Sequence, residues 1–385
     1  MLLEFGARNF FSFKEGFCVS FEVDGNCPKS ISKGKPYVTI LGLKGANAAG
    51  KTNILRALSF IRYLCSESYN SAPKSEIPID NFYNNDDSTE LFCRFAIEGN
   101  KYLYETGLTK DKILYEELSF DGTDNFIFKR HGNTLDALHE DFSELKQLKI
   151  RSNVSVIHSA KQGEYHSLEK FYSFFANIIT NVSDFGLNNF HLDLSLICEI
   201  YRQNSDLLSK VKTLLNKADT GVVDVKIVRS MSPQLKTQFI PVFIHEKNEK
   251  KYPVSVWHES SGTKKLFYDL SLYYGALEAG GILVLDEFDI HLHPALLPML
   301  IDLFDSDEKN DKSAQMIFST HDTAIMDRLG KYRTYLVNKE DNESFGYRLD
   351  EIPGDILQGD LRNDRPISHW YKKGKLGGLP KAGCV

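Results

Sequence analysis

Hydrophobic positions alternate through the first 23 residues: Leu3, Phe5, then Phe10, Phe11 and Phe13, then Phe17, Val19, Phe21 and Val23. Period two of this kind predicts a β-hairpin or meander that leads into the next strand, the short apolar run Tyr37-Val38-Thr39-Ile40-Leu41. The period then changes. Ile54, Leu55, Leu58 and Ile61 recur at helical spacing. A polar stretch over 66–87, with Pro73, Pro78 and an Asn-Asn-Asp-Asp run, predicts a loop. Four strands follow at 90–97, 101–108, 113–120 and 126–129, divided by short polar turns, and predict an antiparallel sheet. A further strand is expected at 154–157, ending in Ala160-Lys161-Gln162-Gly163-Glu164. Helical patterning takes over with Leu168, Phe171, Phe174, Phe175 and Ile178, and again over 192–217, as a helical insertion too short for a long coiled-coil arm. Strands are expected at 222–228 and 239–245, then a helix carrying Leu266, Leu270, Tyr273 and Leu277 on one face and ended by Gly280-Gly281. Ile282–Leu285 is a fully apolar strand closed by Asp286-Glu287. Pro294 opens another helix, 315–318 and 334–338 are strands, and a polar, Gly-rich tail closes the chain. The pattern predicts an α/β protein with a mostly parallel core sheet, an antiparallel β lobe and a short helical insertion. Its expected divisions are 1–165, 166–220, 221–338 and 339–385 within one unit spanning 1–385.

The first strand–helix junction carries the chemistry. Gly45-Ala46-Asn47-Ala48-Ala49-Gly50-Lys51-Thr52 fits G-x-x-x-x-G-K-[ST]. Gly45 and Gly50 let backbone N–H groups close around phosphate oxygens, Lys51 can reach the β- and γ-phosphates of a nucleotide, and the Thr52 hydroxyl can ligate Mg²⁺. Two acids at the end of an apolar strand supply the complement. Asp286 would hold Mg²⁺ and Glu287 would accept a proton from an attacking water. His321, after the strand ending Ser319-Thr320, is placed to sense the γ-phosphate. Ser261 and Gly262, at a helix start, offer donors and a helix dipole to a phosphate, though their distance along the chain leaves open which nucleotide they reach. Gln162 is a candidate to ligate Mg²⁺ or orient water, or else a solvated turn residue. His291 and His293 have H-x-H spacing, but Pro294 argues for a turn beside the acids rather than a metal site.

Composition narrows the class. In 385 residues, 42% hydrophobic content and 25% charged content are those of an ordinary globular protein, and a net charge of −6 gives no support to non-specific coating of nucleic acid. No run is apolar and long enough to span a membrane, and the N-terminus is charged where a signal peptide would be apolar. Six scattered cysteines without a C-x-x-C pair read as reduced thiols of a cytoplasmic protein.

The order P-loop, Gln, Ser-Ser-Gly-Thr, Leu-Asp-Glu, Thr-His resembles the ABC-type ATPase heads of the SMC, RecF and overcoming-lysogenisation-defect (OLD) group. Arg8-Asn9-Phe10-Phe11-Ser12-Phe13 looks like that group's N-terminal strand, and Gln162-Gly163-Glu164 is similar to its Q-loop. The closer resemblance is to RloA-like ATPases of bacterial phage defence. It rests on Glu259-Ser260-Ser261-Gly262-Thr263-Lys264-Lys265-Leu266-Phe267, on Asp286-Glu287 with Leu292-His293-Pro294, and on Ser319-Thr320-His321-Asp322-Thr323. Leu214-Leu215-Asn216-Lys217-Ala218-Asp219-Thr220-Gly221 and the late Trp370-Tyr371-x-x-Gly374-Lys375-x-Gly377-Gly378-x-Pro380 extend it over nearly the whole chain.

The resemblance implies an ATP hydrolase that dimerises head to head, as a homodimer or a higher even oligomer. Ser261 and Gly262 of one head would close on ATP and Mg²⁺ held by the other. OLD proteins continue into a Toprim nuclease domain, whereas 64 residues follow His321 here. The effector, a nuclease, Toprim protein or toxin, is therefore expected to be a separate protein. The rival reading is a RecF-like repair or replication factor that binds DNA when ATP closes the dimer, so nucleic acid remains a possible partner. A transporter ATPase on a membrane permease is disfavoured by the inserted helices.

Overall fold

The computed structural model describes residues 1–183, 186–187, 194–218, 220–231, 237–290, 292–352 and 366–379. Its centre is a six-stranded sheet in the order Glu343–Arg348, Thr334–Glu340, Ile40–Gly45, Gln315–Ser319, Ile282–Leu285, Ile178–Thr180. Every neighbouring pair is parallel except the first, where Glu343–Arg348 folds back as a hairpin. Both faces of this sheet are covered, which is why its strands read as continuous apolar runs. Alternate residues enter different cores. Ile282, Val284, Ile317, Leu41 and Leu43 join one, and Leu283, Leu285, Met316, Phe318 and Ile40 join the other.

The first core is organised around the helix Lys51–Ser66, which lies between the parallel sheet and a second, seven-stranded sheet. Ile54, Leu55, Leu58, Ile61 and Leu64 are fully buried there with Phe5, Val19 and Phe95. The second sheet is antiparallel, in the order Phe17–Ser20, Leu2–Arg8, Thr89–Ile97, Asn100–Leu108, Ile113–Phe120, Phe126–His131, Thr134–Leu138. It unites the N-terminal hairpin with the expected meander and adds a fifth meander strand. Gln315 clips the two sheets together: its Oε1 accepts from the Leu2 N–H at 2.6 Å and its Nε2 donates to the Leu2 carbonyl at 2.8 Å. The second core lies under the helices Leu194–Gln203, Ser205–Lys217, Ser261–Ala279 and Leu297–Asp305 and a three-stranded antiparallel sheet, Val222–Met231, Thr237–Lys247 and Lys250–Ser255.

Three expectations are corrected. The run at 154–157 is a helix, Val156–Gln162, because the Ser155 side chain accepts the His158 N–H and caps it. The helical pattern through Ile178 ends at Ala176, and Ile178–Thr180 is the edge strand of the parallel sheet. Part of the polar tail is ordered. Glu343–Arg348 is a strand, and Ile367, Tyr371 and Leu376 pack with Met326, Leu336 and Leu349 in a small third core.

His158 makes stability pH-dependent. It is 1% exposed, and its Nδ1 accepts the Tyr69 N–H at 2.9 Å, a bond that requires unprotonated Nδ1. Burial holds its pKa down at about 4, against 6.5 when exposed. A folded pKa below the unfolded one means that the unfolded chain binds the proton first. The contribution is therefore complete above pH 6.5 and is lost as pH falls toward 4. Thermal melts across that window are expected to give a falling midpoint in the wild type and a shallower fall in His158→Gln. Equal slopes would remove His158 as the cause.

Candidate nucleotide site

The strands Ile40–Gly45, Gln315–Ser319 and Ile282–Leu285 run parallel, so their C-terminal ends open on one edge of the sheet. Ligands of open α/β sheets bind at that edge. Gly45 closes the first strand. A Cβ there would lie 2.3 Å from the Val337 carbonyl oxygen of the adjacent strand, so only glycine allows the loop to leave here. Ala48 turns the loop with φ 60°, and Gly50 enters the helix with φ 112°, a conformation that favours glycine. A Cβ on Gly50 would also meet the Ser344 hydroxyl at 2.8 Å. Asn47 and Ala48 are exposed at the loop's crown. Lys51 is buried beneath it and donates to the carbonyls of Gly45 at 3.0 Å and Ala46 at 2.9 Å, which centres its ammonium in the loop. Burial lowers its pKa, while Asp286, Glu287 and Asp289 act to raise it.

The acids meet this loop directly. Thr52 Oγ1 donates to Asp286 Oδ2 at 2.7 Å, and the Ser319 hydroxyl donates to the other oxygen, Asp286 Oδ1. Ser319 Oγ also accepts the Glu287 N–H at 2.8 Å, so one hydroxyl aligns both acids. Glu287 holds φ 51°, rare and strained for a residue with a side chain. Asp286 is fixed from its other flank, where its N–H donates to Asn181 Oδ1 at 2.7 Å and its carbonyl accepts from Asn181 Nδ2 at 3.0 Å. A hydroxyl and a carboxylate oxygen, already adjacent, suit Mg²⁺, which takes few protein oxygens and completes its shell with phosphate and water. Among the described residues no cluster of three or more His, Cys, Asp or Glu offers a different metal site.

His321 stands beside this group. Its N–H donates to both oxygens of Asp289, each at 3.2 Å, and its carbonyl accepts from Lys44. The ring makes no hydrogen bond among the described residues. Its pKa is lowered, first by burial and then by the Lys51 and Lys44 charges, so it tends to the neutral form near pH 7.

Two groups of expected residues lie elsewhere. Gln162 is not brought to the Thr52–Asp286 pair: its Nε2 faces His158 Nε2 at 3.4 Å, and His158 is bonded to Tyr69, beyond the C-terminal end of the helix Lys51–Ser66. Thr52 sits at the other end of that helix, ~21 Å away at 1.5 Å per residue. The strand-end amide beside Asp286 is Asn181 instead, which helical patterning over 168–178 concealed. Ser261 and Gly262 begin the helix Ser261–Ala279, capped by Ser260 Oγ on the Thr263 N–H. Ser261 is exposed, and among the described residues no hydrogen bond joins Ser261 or Gly262 to the loop or the acids. His293 caps its own turn through the Ala295 N–H, and His291 lies outside the described residues, as do Asp219 and Pro380. Sequence reading also missed Ser319 as a ligand of both acids, and Asp289 and Lys44 as holders of His321. Asp289 was legible as an acid two positions after Glu287.

A phosphate loop at the edge of a parallel sheet, facing paired acids and a histidine, defines a P-loop ATPase fold. The family model "AAA domain, putative AbiEii toxin, Type IV TA system" matches residues 40–327, and the chain belongs to this family. Among solved structures, the SMC head domain from Thermotoga maritima is similar with a TM-score of 0.43 and 12% identity, over 90% of this chain and 98% of that one. No curated protein matches the chain. Among the described residues no helix is long and apolar enough to cross a membrane.

Proposed function

We propose that the protein is an RloA-like ATPase that hydrolyses ATP as a head-to-head dimer and uses the cycle to restrain or release a separate nuclease or toxin in antiviral defence. The observation that carries the reading is a divided site. Lys51, Thr52, Asp286 and Glu287 converge at one sheet edge, while among the described residues exposed Ser261 and half-buried Gly262 have no hydrogen bond to them. In this reading the backbone of Gly45–Gly50 and Lys51 bind the phosphates, and Thr52 and Asp286 hold Mg²⁺. When bound there, the metal would supply positive charge to offset that of the phosphates. Glu287 takes the proton of the attacking water, and the neutral His321 ring contacts the γ-phosphate. Ser261 and Gly262 from the second copy close over the same phosphate, because a helix start carries free N–H donors and a positive dipole end.

Mixing two inactive chains tests the division. Lys51→Ala removes one chain's phosphate grip, and Ser261→Arg blocks the other chain's helix start. Each is expected to lack ATPase activity alone. A symmetric dimer formed from the mixture regains one intact site, so activity is expected to return to roughly a quarter of wild type. Activity that stays absent although sedimentation shows mixed dimers would sink the shared site.

A further inference from the structure

The buried lysine of the first core strand has no role in the chemistry above. Lys44 is 3% exposed, in the strand that leads into the phosphate loop. Its ammonium donates to the carbonyl of His321 and lies 5.5 Å from the centre of the Tyr371 ring. Tyr371 belongs to the helix Ser368–Lys372, and its hydroxyl donates to the Gly378 carbonyl at 2.8 Å. The C-terminal segment thereby covers Lys44. The N–H of the same His321 is taken by Asp289. The switch residue is thus gripped at both ends of its backbone by opposite charges, a cation on C=O and an anion on N–H, while its ring carries no bond among the described residues. Charge-assisted bonds of this kind are about twice as strong as neutral ones.

We propose that Lys44 is a positioning residue for ATP hydrolysis: with Asp289 it clamps the His321 backbone, fixing where the imidazole meets the γ-phosphate. The inference rests on the ATPase reading above. A cation is required because it must face Asp289 and balance it across one residue, and burial makes the bond insensitive to solvent. The groups facing Lys44 are the carboxylates of Asp289 and Asp322, the ammonium of Lys51, the His321 peptide and ring, and the Tyr371 phenol. Burial brings the ammonium's pKa down to about 8, so the clamp loosens as pH rises past that value.

Steady-state ATPase assays and equilibrium binding of a fluorescent ATP analogue test this on the full-length chain. Lys44→Met is expected to lower kcat about 10- to 100-fold, the cost of misplacing a reacting group by about an ångström. KM and analogue binding should stay near wild type. Lys44→Arg keeps the cation and is expected to recover most of kcat. It should also move the alkaline limb of the pH profile upward, since a guanidinium stays charged. Lys51 is common to all variants, so the difference between profiles belongs to Lys44. Wild-type kcat in Lys44→Met, or an equal loss in Met and Arg with binding intact, overturns the clamp. If Lys44→Met does not fold, the Lys44→Arg limb decides, and an unmoved limb overturns it. A wild type without ATPase activity defeats the functional reading separately. The clamp is then read from the His321 titration by NMR, assigned with His321→Gln. Lys44→Met is expected to raise the His321 pKa read across an acid-to-neutral titration, and an unchanged titration refutes the clamp.

Discussion

Glu287→Gln is expected to slow ATP turnover by about 10²–10⁴-fold, the usual contribution of a positioned general base. ATP binding should be retained. The amide keeps the shape of the carboxylate, and nothing that grips the phosphates changes. The backbone around Glu287 is fixed independently of its side chain: its N–H donates to Ser319 Oγ at 2.8 Å, and its carbonyl accepts the Ile290 N–H at 2.9 Å. The substitution therefore removes one proton acceptor without moving Asp286. Because hydrolysis is what parts the heads in the proposed cycle, the variant should accumulate as an ATP-bound dimer. Sedimentation with and without ATP, beside single-turnover kinetics, reads both effects. A variant that turns over at the wild-type rate removes Glu287 from the proton transfer. A variant that stays monomeric under saturating ATP removes the dimer instead. The φ of 51° at Glu287 adds a second expectation. Glu287→Gly should relieve backbone strain while losing activity, so its thermal midpoint should not fall below that of Glu287→Gln.

The parts of the site that were legible in the sequence are contiguous. A glycine loop between a strand and a helix, two acids closing Ile282–Leu285, and a histidine after Gln315–Ser319 each occupy a few successive residues with the right flanks. The fold follows from the same runs, since apolar strands alternating with amphipathic helices allow little besides a covered parallel sheet. What could not be read lies in tertiary contacts. Asn181 follows a strand of three residues, Ile178–Thr180, too short to show a period of its own beside the aromatic helix that precedes it. The run at 154–157 is apolar enough for either structure. Ser155 decides it as an N-cap. Lys44 sits in an apolar strand, where its meaning depends on His321 and Tyr371, hundreds of positions away. The late glycines looked like a loose tail. Gly377 and Gly378 instead hold positive φ, 71° and 72°, and let the segment pack beside Asn338 and Tyr371.

Arg130→Met is expected to be the most damaging substitution for stability, at about 3–5 kcal/mol, the cost of stripping the partner from a buried charge. Arg130 is 0% exposed in the strand Phe126–His131. Its guanidinium donates to Glu116 at 3.0 Å and to the carbonyls of Gly132, Val154 and Arg151 at 2.6, 2.6 and 2.7 Å. Glu116, equally buried, also accepts the Val156 N–H at 3.0 Å and the Tyr104 hydroxyl at 3.2 Å. The pair therefore does more than neutralise itself. It satisfies the chain where it leaves the antiparallel sheet and starts the helix Val156–Gln162, which packs on the helix of the phosphate loop. Methionine fills similar volume but leaves a carboxylate and three carbonyls without their donor. Glu116→Gln in the Arg130→Met background should return part of the loss, because the uncompensated charge is gone while the carbonyls remain unpaired. Denaturation midpoints of the two single variants and the double variant measure that coupling. A double variant no more stable than Arg130→Met would place the cost in the orphaned carbonyls rather than in the charge. An Arg130→Met chain within about 1 kcal/mol of wild type would mean that the sheet-to-helix junction is held by packing alone.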